Sequence, residues 1–527
     1  MTVPMNIADT SLPVGNPRRG AQADSELKVE GRKEPYRLFW GDLHNHNAVG
    51  YAKGSLERSI DLAREHLDFF AFTGHSAWHD MPKMPGDRHL KWVRGFEAHS
   101  KHWPKTKQLL REASGDDFVA LLGYEWHSSR FGDFCVIHPN DDGELFLPDH
   151  ADKLLDFAHH HGAFAIPHHV GYKQGWRGAN WKYFRNETAP VVEIFSEHGC
   201  TETDRSPFPM IRHSNGGRST ANTIARQLQQ GLRFGFVASS DDHLGYPGAH
   251  GEGVVGVWAD GLSRESLFEA LQSRRTYAAT GDRIQLETTL NGHPMGADVP
   301  FATDRQIDVR VVGQDSVAMV ELVRNGRVIQ RHFPEDKIDG PMQLPGTARL
   351  RFQYGWGPWA VLGIGRICDW DVRLRVEGGR FTRAIPSYQT SPFDEDRRDR
   401  LRIVSPTELH LQSPTTRVES YGEDPTKSVS IEIDADENAV FIVELKQPID
   451  KTYRVKLGDL IDDNLVEFTG VFTSESFIVQ RLVAPEEYTA SLRWNDRRKK
   501  SESADWYYVR VTQHNGQMAW SSPMWVG

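Results

Sequence analysis

Two histidines one residue apart, His44 and His46, stand directly after the apolar run Tyr36-Arg-Leu-Phe-Trp40. In an extended segment alternate residues share a face, so both imidazoles can converge on one ion, with Asp42 just before them. The same juxtaposition recurs. His75 follows an apolar run at 69–73, Glu125 one at 118–124, His168 and His169 one at 163–167, and Asp241 with His243 one at 234–238. A parallel β/α sheet assembles a site in this way, from polar residues at the C-terminal ends of its strands. Imidazole and carboxylate without thiolate suit Zn, Mn or Fe, and a carboxylate can bridge two such ions. Each fragment alone is commonplace. The run His159-His160-His161, for instance, would scatter its rings around a helix. The conjunction at independent strand ends carries the reading.

Holding such a cluster takes repeated strand–helix units. Ser55 can cap a helix in which Leu56, Ile60, Ala63 and Leu67 recur at helical spacing. Residues 151–161 read as a helix stopped by Gly162, and helices at 221–230 and 264–274 alternate with strands at 191–195 and 234–238. The alternation over residues 36–283 predicts an α/β domain with a largely parallel sheet, long enough to close as a barrel. After Gly281 the texture becomes β-rich. Strands are expected at 307–312, 317–324, 372–376, 429–433, 439–445 and 507–511, with hairpin turns at Asn325-Gly326 and Asn515-Gly516. Residues 284–527 are therefore expected to form one or two sandwich-like modules, with a charged irregular stretch at 392–402. Residues 1–35 read as a flexible leader.

The chain has 527 residues, which implies more than one domain. Against 62 basic residues stand 72 acidic ones, a net charge of −10 that argues against a general nucleic-acid or anionic-membrane binder. No run approaches the roughly 18 apolar residues of a membrane span, and the first twenty residues lack an apolar signal core. The three cysteines are odd in number and far apart, which fits a reducing compartment, so a cytoplasmic protein is expected. Histidine is the abnormal component, with 24 residues, most of them before residue 251.

In order, Gly41-Asp-Leu-His-Asn-His46, Thr73-Gly-His75, Gly123-Tyr-Glu125, Ala165-Ile-Pro-His168 and Ser239-Ser-Asp-Asp-His243 resemble the motifs of the PHP (polymerase and histidinol phosphatase) superfamily. Within it the chain is most similar to the group called domain-of-unknown-function family 3604, through Val192-Glu-Ile-Phe-Ser-Glu197, Leu262-Ser-Arg-Glu, Arg275-Thr-Tyr-Ala-Ala-Thr-Gly281, Trp506-Tyr-Tyr-Val-Arg-Val and Trp520-Ser-Ser-Pro. The resemblance implies a distorted seven-stranded β/α barrel with two or three divalent metal ions, usually acting on phosphoesters. It implies His44, His46, Glu125 and Asp241 as ligands of a first metal. Glu125 would bridge to a second that also takes His168, and His75 and His243 would serve a third.

Three departures from that pattern matter. Gly74 stands where an Asp is usual. The remaining second-metal ligand has three candidates, Asp133, His127 and His138. A turn at 126–132 returns Asp133 to the same rim, whereas His138 would lie about 16 Å further along at strand rise, so Asp133 is favoured. In the loop after His46, where many members place a third-metal ligand, this chain offers Lys53, and the third ion is expected to be weak or missing with Lys53 supplying charge near its place.

The chemistry expected is hydrolysis by hydroxide bridged between metal ions, oriented by Asp241, with His169 or His243 protonating the leaving group. Arg177 and Lys173, in the loop after His168-His169, are available to clamp a small or oligomeric anionic substrate, and Trp78, Trp126, Trp176 and Trp181 could line the rim. The leading expectation is a phosphoesterase. A hydrolase or lyase acting on another ester, an amide or a glycoside is the alternative, and a non-catalytic, metal-stabilised binding protein is the further one.

Overall fold

The computed structural model describes residues 25–212, 217–338, 340, 342–419 and 424–527. These divide into two compact units, Lys337–Tyr488 and a larger one in which Ser25–Asp336 is joined by Thr489–Gly527. The expected boundary at residue 283 therefore falls inside a unit. The reason lies in strand pairing. Val317–Arg324 pairs with Asp505–Gln513, and Met518–Ser521 pairs with Thr276–Ala279, so the end of the chain returns to the sheet begun by its first third. Of the expected leader, residues 1–24 lie outside the described residues, and Glu26–Leu27 is a short strand paired with Tyr36 and Arg37.

Within the larger unit, β1 (Tyr36–Asp42) leads to α1 (Leu56–His66), whose N-terminus is capped by the Ser55 side chain. Then come β2 (Phe69–Phe72), β3 (His75–Trp78), α2 (Leu90–Ala113), β4 (Val119–His127) and β5 (Asp133–Ile137). Helix α3 (Ala151–His161) ends at Gly162, whose φ of 63° suits a residue without Cβ. It is followed by β6 (Phe164–His168), β7 (Val191–Ser196), α4 (Ile224–Gln229), β8 (Gly235–Ala238), β9 (Val254–Ala259), α5 (Arg264–Gln272) and β10 (Thr276–Ala279). Helix α2 has no counterpart in the sequence reading. It contains Pro104 and has no side-chain cap at its N-terminus, so neither signal of a helix start was there to read.

The fold is mixed α/β with strands dominating, and its sheet is less parallel than the alternation implied. β1, β2 and β4 pair in parallel, but β4, β5 and β6 form an antiparallel meander, and β9 runs antiparallel to both β1 and β10. These strands belong to one fifteen-stranded sheet, while β7 and β8 pair in parallel in a separate three-stranded sheet. The helix missing between β4 and β5 explains the antiparallel turn, since a five-residue connection cannot make a parallel crossover. Strands β2 and β4 to β6 are buried on both faces and read as continuous apolar runs for that reason.

Residues Gln285–Leu290, Asp304–Val312 and Thr489–Arg497 form a further antiparallel sheet of this unit. The smaller unit, in the region expected to form one or two sandwich-like modules, holds one eight-stranded antiparallel sheet. The separate strands expected at 429–433 and 439–445 are one strand, Lys427–Gln447, paired along Ile367–Ser387. Among the described residues no helix is long and apolar enough to cross a membrane.

Candidate metal centre

The side chains at the ends of β1, β3, β4 and β6 and in the turn after β8 meet at one place. His46 Nε2 lies 3.1 Å from His44 Nε2 and 2.9 Å from Asp241 Oδ1, and His44 Nε2 lies 3.2 Å from the same oxygen. Glu125 reaches into the middle. Its Oε1 is 2.6 Å from His168 Nε2, and its Oε2 is 3.3 Å from His75 Nε2, 3.5 Å from His46 Nε2 and 4.0 Å from His44 Nε2. All of these residues are buried.

Backbone geometry at two positions makes this convergence available. Neighbours in a strand point to opposite faces, yet His168 and His169 both face the site. His169 achieves this with φ of 49°, which turns its Nε2 to within 3.2 Å of Asp241 Oδ2. Asp241 has φ of 55°. Left-handed backbone at non-glycine residues is strained, and here both instances aim a side chain into the cluster. The turn carrying Asp241 is tied to β1 by Asp42, which accepts hydrogen bonds from the backbone of His44, Ser240 and Gly248 and from the Ser240 hydroxyl. Asp42 is thus an organiser of backbone. A bridge between Asn45 and Asp242 completes the join.

The imidazoles divide by their neighbours. Burial opposes the charged forms of His44 and His168, yet Asp241, Cys135 and Glu193 lift the first and Cys135 and Glu125 the second well above the ordinary imidazole range. Burial first, and then the neighbouring His243, push His46 down to about 3. Burial likewise holds His75 and His169 well below the ordinary imidazole range. Burial alone would raise the Glu125 carboxyl, but His127 and His168 beside it hold it well below its usual value, and His44, His198 and His169 do the same for Asp241. His243 goes the other way. Burial opposes its charged form, yet the Glu197 and Asp241 carboxylates lift it to about 9.

The donor set suits a cation. Glu125 Oε2 is buried without a hydrogen bond among three imidazole nitrogens, and His46 Nδ1 and His75 Nδ1 are buried without one too. The His44 and His46 Nε2 atoms, 3.1 Å apart beside the Asp241 carboxylate, are nitrogen and oxygen ligand atoms that one shared cation would satisfy. Ligand atoms of His44, His46 and Asp241 lie within 4.8 Å of one another, as do those of His46, His75 and His243, and those of Glu125, Asp133, His168 and His169. The expected residues His44, His46, His75, Glu125, Asp133, His168, His169, Asp241 and His243 are all brought together.

The remaining expectations divide. His127, two residues beyond Glu125 on the same face of β4, has Nδ1 3.2 Å from Glu125 Oε1 and 3.4 Å from Asp133 Oδ2. His138 lies elsewhere, among the rings of Trp103, Tyr124 and Phe157. Arg177 turns inward, its Nε and Nη2 at 2.7 Å and 2.6 Å from Asp133 Oδ2. Lys173 and Lys53 are exposed. Tyr51, rather than Lys53, covers the third group, with its ring 3.8 Å from that of His75. Gly74 is enforced by space, since a Cβ there would sit 2.6 Å from the Val49 carbonyl oxygen. Of the four tryptophans, Trp126 is core, because it points to the opposite face of β4 from Glu125 and His127, and Trp181 packs on Phe234. Trp78 stacks against Arg177 near the site, and Trp176 is exposed.

Three neighbours escaped the sequence reading of the site. Glu193 on β7 accepts from His44 Nδ1 at 3.1 Å, which in the neutral imidazole puts the lone pair on Nε2. Glu197 accepts from His243 Nδ1 at 3.0 Å, and His198 Nε2 lies 3.1 Å from Asp241 Oδ2. All three lie in or just past the motif 192–197, whose charged residues at the end of an apolar run were the available signal. Cys135 lies 3.6 Å from His168 Nδ1 through its Sγ.

Residues 248–292 match the family described as "Protein of unknown function (DUF3604)". An uncharacterized protein of Chlamydia muridarum is 27% identical over 331 residues, covering 56% of this chain and 49% of that protein. One of Chlamydia pneumoniae is 30% identical over 327 residues, with the same 56% and 49% coverage. The chain spans about half the length of these curated relatives. A solved structure from Bacteroides vulgatus, described as a two-domain protein containing a predicted PHP-like metal-dependent phosphoesterase, is similar over 82% of this chain and 99% of its own, at 13% identity and a TM-score of 0.33.

Proposed function

We propose that the chain is a metal-dependent hydrolase of the PHP type whose substrates are phosphoesters. The observation that carries the reading is the placement of Glu125, a buried carboxylate with one oxygen against His168 and the other facing His44, His46 and His75. On this reading Asp241, His44, His46 and Glu125 hold one ion, Glu125 and His168 a second, and His75 with His243 offer a further position. When bound, such ions activate water near neutral pH and stabilise negative charge on the oxygens of the reacting group.

The chain's own residues supply the rest. Glu193 fixes a proton on His44 Nδ1, so that Nε2 faces the centre. Glu197 and the Asp241 carbonyl oxygen both accept from His243 Nδ1, which holds a proton there. With no ion at that further position, the Glu197 and Asp241 carboxylates lift His243 to about 9 against the pull of burial, so it carries a proton it can give, whereas His169, held neutral by burial, serves to orient Asp241 Oδ2. Arg177 is the guanidinium nearest the cluster and remains partly exposed, so it can meet an anionic oxygen, with Lys173 and Lys53 further out. Three buried free cysteines agree with a cytoplasmic setting.

The test is a substrate panel with protein reloaded by Zn, Mn or Fe, pairing aryl phosphate mono- and diesters with carboxylate esters, amides and uronides. Metal-dependent turnover of a phosphoester is expected. Turnover of the other substrates with none of any phosphoester would overturn the substrate class and leave the metal centre standing.

A further inference from the structure

Arg177 is placed with more care than a loop cation needs. Its backbone adopts φ of 70°, a strained conformation for a side chain with Cβ, and its amide donates to the Ser129 carbonyl at 3.2 Å. The turn that receives it is built by Asp80, which accepts from the Ser128 hydroxyl at 2.9 Å and from the Ser129 and Arg130 amides at 2.8 Å and 2.9 Å. That turn returns the chain to Asp133, which stands opposite His168 in the β5–β6 pairing.

Both oxygens of Asp133 are then spoken for. Oδ1 accepts from the Ser128 amide at 3.1 Å, and Oδ2 takes Arg177 Nε at 2.7 Å and Nη2 at 2.6 Å. The same Nη2 lies 3.1 Å from His127 Nδ1 and 3.9 Å from Glu125 Oε1. His127 Nδ1 also lies 3.2 Å from Glu125 Oε1 and 3.4 Å from Asp133 Oδ2, so the guanidinium, the imidazole and the two carboxylates crowd one corner. Trp78 stacks against the guanidinium with its ring centroid 5.2 Å away.

From this geometry we infer that the Arg177 guanidinium is itself one of the cations of the centre, filling the corner between Glu125, His127 and Asp133 that a further metal ion would otherwise take. The inference rests on the metal-centre reading above. A divalent ion bonded to Asp133 Oδ2 would meet a positive charge already in contact with that atom, in a buried place where like charges repel strongly. Asp133 thereby becomes the counter-ion that positions Arg177, and the corner carries a fixed charge that chelators do not remove.

Metal stoichiometry decides the matter without reference to activity. Wild type, Asp133→Asn, Arg177→Ala and the double variant are each dialysed against excess Zn or Mn, freed of unbound metal and subjected to elemental analysis, with circular dichroism as the check of fold. The expected result is an unchanged count in Asp133→Asn, one additional ion per chain in Arg177→Ala, and return to the wild-type count in the double variant. Loss of an ion in Asp133→Asn overturns the inference, and this arm decides even where Arg177→Ala fails to fold. An unchanged count in a folded Arg177→Ala overturns it too. A wild type that binds no stoichiometric metal sinks both this inference and the metal-centre reading, and so is distinguishable from failure of this one alone.

Discussion

Exchanging Glu193 for glutamine should weaken metal binding by about tenfold while leaving the chain folded. Glu193 lies on β7, is buried, and touches the centre only through His44 Nδ1, 3.1 Å from its Oε2. A charge-assisted hydrogen bond of this kind is worth about 1.5–3 kcal/mol and a neutral one about 1 kcal/mol, so the isosteric amide forfeits about 0.5–2 kcal/mol. At about 1.4 kcal/mol per tenfold change, that gives a loss of roughly two- to thirtyfold in affinity, which overlaps the range of about 10–100-fold typical of outer partners of a ligating histidine. The loss grows if the amide turns its NH2 toward Nδ1, because the imidazole proton then moves to Nε2 and blocks the ligand atom. Competition against a chromophoric chelator measures the affinity, and thermal unfolding of the metal-free protein checks that the fold is unaltered. A folded Glu193→Gln variant within twofold of wild type would refute the positioning role and the assignment of His44 Nε2 as the atom presented to metal.

Three further outcomes follow from particular contacts. Asp241→Asn should lose at least a hundredfold in turnover and one tightly held ion per chain, since Oδ1 lies 2.9 Å from His46 Nε2 and Oδ2 3.1 Å from His198 Nε2; full activity with an intact metal count would contradict it. His138, buried among rings and pushed by burial down to about 4, binds its proton more readily in the unfolded chain, so the stability tied to its neutral form is complete above about pH 6.5 and falls as pH drops toward 4. The His138→Phe variant should therefore gain on wild type by about 2 kcal/mol between pH 7 and pH 5 in chemical denaturation, and parallel pH profiles would dismiss that account. Asp505→Asn should destabilise the larger unit by about 3 kcal/mol, because it strands the buried Arg305 guanidinium now 2.6 Å from Asp505 Oδ2. A change under about 1 kcal/mol would show that the Tyr507 hydroxyl, also 2.6 Å from Arg305 Nη1, suffices.

Elements with local signals were legible. The Ser55 cap, the Gly162 stop and the Asn325-Gly326 turn each place a boundary through chemistry confined to a few residues, and each stands where the sequence put it. Strand direction was not legible, because a meander such as β4 to β6 and a parallel crossover offer the same buried apolar runs. The extent of the larger unit was hidden for a related reason. The pairing of Met518–Ser521 with Thr276–Ala279 joins residues more than two hundred apart, and nothing local records it.

For the site, residue types at strand ends named the imidazoles and carboxylates, since alternation along a strand is a local rule and brings His44 with His46, or Glu125 with His127, to one face. Which partner each side chain keeps was decided only by tertiary structure. Asp42 turns to backbone amides, Asp133 to Arg177, and Glu193 reaches His44 from a strand one hundred and forty-nine positions away. Sequence specifies what chemistry each residue can perform. Distances of a few ångströms between remote elements settle which of those capacities is used, because hydrogen bonds and ion pairs fall away steeply with separation.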